Sequence, residues 1–203
     1  MKSYRKTYRQ MHASDPKIFS GRADPEVADR IATLVSMTGA ASLLDWGSGK
    51  GYQYLADRVH DRWGGVLPVC YDVGVPQLDR YPTKAYDGVI CTDVLEHIMP
   101  ADVDGVLAAV HGFAIKFVYM GICCRPAGKL LPDGENAHQT IRPPEWWEER
   151  LAGCAREGLY VWADYEFFRD YDVQRERLER VRAEDGEDVP EELAGDGASD
   201  PLR

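Results

Sequence analysis

The 203-residue chain is 44% hydrophobic and 10% aromatic and carries a formal net charge of −10. This composition excludes a disordered or fibrous chain, and no apolar run reaches membrane-spanning length. The acidic balance weighs against a nucleic-acid surface, which needs clustered Lys and Arg, but leaves that class open.

The basic N-terminus, "MKSYRKTYRQMH", lacks an apolar core, so no secretory signal is expected. Tyr4, Tyr8 and Met11 recur at helical spacing, giving a helix docked on the domain or a lid hinged at "KIFSG". "DPEVADRIATLVSMTG" reads as a helix with Asp24 as N-cap, Pro25 in the first turn and Gly39 as its stop. "ASLLDWG" is a short buried strand. In "YQYLADRVHDRWG", Tyr52, Leu55, Val59 and Trp63 predict one amphipathic helix. "VLPVCYDVG" is a second strand. The next fourteen residues, "VGVPQLDRYPTKAY", hold two prolines and leave no room for a helix plus a strand, so a trimmed sheet is expected. Gly88 to Thr92 forms a third strand, "ADVDGVLAAVHGFA" a helix, "IKFVYMGICC" a strand, "PPEWWEERLAGCAREG" a helix and "LYVWADYEFF" a last strand. Alternating strands and helices predict an α/β domain with a doubly wound, mainly parallel sheet. Beyond Tyr171, "QRERLERVR" reads as a charged helix, and the remaining acidic residues have little to bury. The organisation is therefore a helical lead-in or lid (1–40), a central domain (41–170) and a charged, mobile tail (171–203). Five cysteines without a CxxC pair suit reduced thiols in a cytoplasmic protein.

The stretch "LLDWGSGKGY" decides the ligand class. A P-loop needs GxxxxGK[ST], and both the leading glycine and the hydroxyl are missing. The dinucleotide fingerprint GxGxxG fails at Tyr52. What remains is an acid, Asp45, two residues before Gly47, with Ser48 and Gly49 completing the turn. A carboxylate at the strand end repels a pyrophosphate and suits a cationic amine or sulfonium. Asp72, ending the second strand, is placed to accept the hydroxyls of a ribose. Thr92 and Asp93 end the third. A ribose, a positive centre and no phosphate describe S-adenosylmethionine.

These motifs resemble those of class I S-adenosylmethionine-dependent methyltransferases: "LLDWGSGKGYQY" their first motif, "YDVG" the acidic second-strand motif, "YDGVICTDVLEHI" the fourth-strand motif of the quinone-biosynthesis type. The resemblance implies a shortened Rossmann-like methyltransferase fold. It implies a cofactor site in which Gly47 and Gly49 pass the methionine part, Asp45 orients its amino group and Asp72 holds the ribose. Thr92 and Asp93 would line the floor, with Leu95 near the adenine or sulfonium. Val73, Val75 and Leu78 are available to cover the adenine. The acceptor would be a small or carbohydrate-like molecule, with His138 in a polar loop and His97 after the third strand as candidate bases. Glu135 and His138 resemble part of the metal-binding motif of small-RNA 3′-end methyltransferases, but Ile141 stands where a further His belongs, so no metal site is expected. Two other readings stay open: a non-catalytic cofactor- or partner-binding module, and a nucleic-acid or nucleotide methyltransferase using the basic N-terminus. The oligomeric state is not legible.

Overall fold

The computed structural model describes residues 4–14, 18–21, 24–169 and 172–182. A six-stranded sheet runs in the order β2-β1-β3-β4-β5-β6. Its strands are β1 (Leu43–Trp46), β2 (Val69–Tyr71), β3 (Tyr86–Thr92), β4 (Ala114–Cys123), β5 (Tyr160–Arg169) and β6 (Asp172–Arg182). The first five are mutually parallel, and β6 pairs antiparallel with β5. The chain steps from β1 outward to β2, then returns to lay β3 on the opposite side of β1. That reversal creates a crevice at the carboxyl ends of β1 and β3, the place where open α/β sheets bind ligands.

Period-2 alternation divides the apolar side chains between two layers. Leu44, Val89, Cys91, Val118, Met120, Val161 and Ala163 face α4 (Val103–Phe113) and α5 (Pro144–Gly153), meeting Leu107, Val110, Trp147 and Leu151. Leu43, Ile90, Phe117, Tyr119 and Trp162 face α2 (Pro25–Thr38), meeting Ile31, Leu34 and Trp63. Each such side chain, fully buried, contributes roughly 1.5–3 kcal/mol, so the two layers rather than local propensity hold the elements. Helix α2 starts and stops where the sequence predicts: Asp24 accepts a hydrogen bond from the Glu26 amide, and Gly39 closes the helix in the left-handed region. It is part of the sheet's core, whereas α1 (Tyr4–Ser14) and residues 18–21 of the same lead-in lie over the crevice.

Between Tyr71 and Tyr86 there is neither helix nor strand, as the two prolines predict. Tyr81 of this connection joins Trp46, Tyr71 and Phe113 in a cluster of edge-to-face rings.

Two expectations are corrected. "YQYLADRVHDRWG" is not one helix: α3 spans only Tyr52–Leu55, and a 3-10 turn, Val59–Trp63, follows Arg58 at φ +49°. The inward residues are Gln53 and Tyr54, while Leu55 is 78% exposed. The second concerns "QRERLERVR", which is strand β6 rather than a helix, because the open edge of β5 supplies a backbone ladder that side-chain pattern cannot reveal. The rest of the predicted tail, 183–203, lies outside the described residues. Among the described residues no helix is long and apolar enough to cross a membrane.

Candidate functional site

A cavity of about 490 Å³ opens at the crevice. Of the residues singled out from the sequence, Asp45, Gly47, Ser48, Gly49, Asp72, Val73, Thr92, Asp93 and His97 line it. Leu95 does not: it is fully buried in the core, because the 3-10 turn Leu95–His97 points it inward, and Val94 lines the cavity instead. Val75 and Leu78 are likewise absent from the lining, and the apolar wall comes from Trp46, Tyr71, Val73 and Ile98.

The glycine turn is shaped by close approach. Gly47 has φ +83°, and a Cβ there would meet Val94 Cγ2 at 2.2 Å. Gly49 has φ +56°, and a Cβ would sit 2.5 Å from the Phe19 carbonyl oxygen. Every amide of the turn is committed within the protein. Gly47 and Ser48 donate to the Tyr71 carbonyl, Gly49 to Asp72 Oδ2, Lys50 to the Phe19 carbonyl and Gly51 to that of Ser48. Tyr52 and Gln53, opening α3, donate to the carbonyls of Ser20 and Gly21. A phosphate needs such amides unoccupied, so this turn is not a phosphate cradle.

Asp45 is 1% exposed and accepts from Gln53 Nε2 at 3.0 Å and Tyr54 Oη at 2.8 Å. Both bonds fall on Oδ2, and Oδ1 has no hydrogen bond among the described residues. Burial pushes its pKa up to about 7; the Tyr54 bond opposes that shift and the nearby Asp72 adds to it. The carboxyl expected from the sequence to be fully ionised is therefore close to half-protonated at neutral pH unless a cation adjoins it. Gln53 Oε1 is buried without a partner among the described residues, a second acceptor on the lining. Gln53 had no role in the sequence reading, since the predicted helix faced it outward.

Asp72 accepts from the Gly49 and Gly74 amides at 2.8 and 2.7 Å, and His12 Nε2 of α1 lies 3.7 Å away. Burial raises the Asp72 pKa and lowers that of His12, so both are drawn toward their neutral forms. Tyr8, Phe19 and His97 stack edge-on over the far side of the cavity. Two arginines of α1 have an internal partner: Arg5 and Arg9 pair with Asp79 at 2.8 and 2.5 Å.

His97 and His138, far apart in sequence, are brought to 4.7 Å between ring centroids. The loop bearing His138 is sewn to the turn bearing His97: the Gln139 and Thr140 amides donate to the Glu96 carbonyl, and Thr140 Oγ1 donates to that of Ile98. Burial pushes His97 down to about 4, with His138 beside it adding to the shift. His138, only partly buried, is also lowered by burial. His97 lines the cavity and His138 stands behind it. Of the paired tryptophans, Trp147 is core, and Trp146 carries the Arg150 guanidinium 3.4 Å over its ring. No protein-family model matches the chain, and no curated protein matches it at a significant level.

Proposed function

We propose that the chain is a methyltransferase that binds S-adenosylmethionine in this cavity and transfers its methyl group to a small-molecule or carbohydrate-like acceptor. The observation that carries the reading is the pairing of two carboxyls, Asp45 and Asp72, at the ends of neighbouring strands on one cavity, beside a glycine turn with no amide left for phosphate. Asp45 Oδ1 and Gln53 Oε1 offer acceptors to the cofactor's ammonium. Asp72, with a partly accessible carboxylate, offers acceptors to the ribose hydroxyls. Trp46, Tyr71 and Val73 supply apolar walls for the base.

In the transfer, the acceptor lone pair forms a bond to the methyl carbon as the carbon–sulfur bond breaks, leaving its electrons on sulfur as a thioether. Alignment supplies much of the rate. His97 is neutral at pH 7 and faces the cavity, so it offers the acceptor a hydrogen-bond partner, but burial leaves it only a weak base.

The test is calorimetric titration with S-adenosylmethionine and, separately, with NAD. Binding of the first and silence toward the second is expected, and the reverse would overturn the assignment. Asp72→Ala is expected to weaken S-adenosylmethionine by ~10-fold or more, the loss of a hydrogen bond to a charged acceptor. Unchanged affinity removes the ribose role.

A further inference from the structure

Glu96 is a fully buried carboxyl with no part in the cofactor site. Its Oε1 accepts from the Cys123 amide, and its Oε2 has no hydrogen-bond partner among the described residues. An orphaned buried oxygen of this kind is destabilising unless something meets it. Beside it stand His97 and His138, and the ligand-capable atoms of the three residues all lie within 4.8 Å of one another. The two imidazoles are set alike. His97 Nδ1 lies 3.0 Å from the Ala137 carbonyl and His138 Nδ1 2.6 Å from that of Arg125. A carbonyl only accepts, so each Nδ1 carries the proton and each Nε2 keeps its lone pair. Backbone-anchored imidazoles of this tautomer are the usual form of histidine ligands.

We propose that Glu96, His97 and His138 bind one divalent cation of the first transition row, such as Zn²⁺, Co²⁺ or Mn²⁺, in the wall of the cavity. Two imidazoles and a carboxylate suit these ions, whereas Mg²⁺ and Ca²⁺ favour all-oxygen sets. Bonds of about 2.0–2.2 Å need ligand atoms closer together than 4.8 Å, so side-chain shifts of about 1 Å close the site. Three protein ligands leave a position open, and His97 places that position next to the cavity. A water or hydroxyl bound there is acidified by the metal. In that state the imidazoles serve as ligands rather than as bases. Two cations approach the cluster, Arg125 near His138 and Lys129 near His97, and they weaken the site without occupying it. Arg125 is itself held by Glu166 at 2.9 Å. From the sequence no metal site was expected, because Glu96 and His138 are joined only by the fold.

The experiment uses the tag-free full chain stripped with a chelator. Co²⁺ is titrated by its d–d absorption and Zn²⁺ by calorimetry, both without S-adenosylmethionine, so the outcome is independent of the cofactor reading. One equivalent is expected. His138→Ala and Glu96→Gln should each weaken binding by roughly 100-fold, at or beyond the upper end of what loss of a mere outer-sphere partner costs. His60→Gln, a histidine outside the cluster, should leave it unchanged. Circular dichroism of each variant confirms that the fold is kept, and Glu96→Gln retains the oxygen that meets Cys123. No stoichiometric binding, equal binding by folded Glu96→Gln and the parent, or a spectrum dominated by thiolate charge transfer overturns the proposal.

Discussion

Asp45 offers the sharpest test of the proposed cofactor site, because its burial ties ligand affinity to pH. A cationic ligand beside it favours the ionised form. With the free-protein pKa at about 7, the ionised fraction at pH 5 is about 1%, at pH 7 about half and at pH 8 about nine-tenths, since each pH unit is worth 1.36 kcal/mol. S-adenosylmethionine affinity should thus rise about 50-fold between pH 5 and 7 and only about twofold beyond. Calorimetry across that range, on the parent and on Asp45→Asn, measures it. The asparagine variant cannot ionise at this position and should lose most of that rise, any slope that remains belonging to His12 and Asp72. The ligand-free protein should show the converse dependence. Above the ordinary carboxylate pKa of about 4 the unfolded chain has lost the Asp45 proton and the native state keeps it to about 7, so native protein binds more protons and stability falls as pH rises through that interval. A flat affinity profile in the parent, or an equal slope in Asp45→Asn, would refute the reasoning.

Gly49→Ala combines a left-handed backbone, costing about 1–2 kcal/mol, with a contact to the Phe19 backbone that no side-chain rotation relieves. A destabilisation of at least 2 kcal/mol, read from urea unfolding, is expected, with loss of the contact between residues 19–21 and the turn. Arg30→Met removes the 2.8 Å pair with Asp164, leaving that carboxylate with Tyr119 Oη and Trp162 Nε1. Because Arg30 is partly exposed, the cost should fall below the 3–5 kcal/mol of a fully buried break, at about 2–3 kcal/mol by the same measurement.

Much of the sheet was legible because alternation is a backbone property: a residue inside at Leu44 forces Leu43 to the opposite face, and β1, β3 and β4 obey that rule. The residues lining the crevice were legible for a related reason, since acids at strand ends converge wherever parallel strands lie side by side. What failed depended on partners distant in sequence. Helical spacing placed Tyr52 and Leu55 inward, but the need to satisfy buried Asp45 turns Gln53 and Tyr54 inward and ends α3 after one turn. The charged run 172–182 carries no apolar period, so only the vacant edge of β5 decides that it extends as strand. Glu96 drew no role from the sequence, because the loop whose amides hold its carbonyl lies some forty residues onward.

The strap formed by α1 and residues 18–21 has a kinetic implication. Tyr8, His12, Phe19, Ser20 and Gly21 are at once part of the cavity wall and the means by which the strap is fastened. Anything that fills the hollow therefore also tightens its cover, and anything that peels the cover back loosens the occupant. Exchange of an occupant should therefore be slowed by the need to release a handful of main-chain bonds and two exposed arginine contacts, and added salt should speed it.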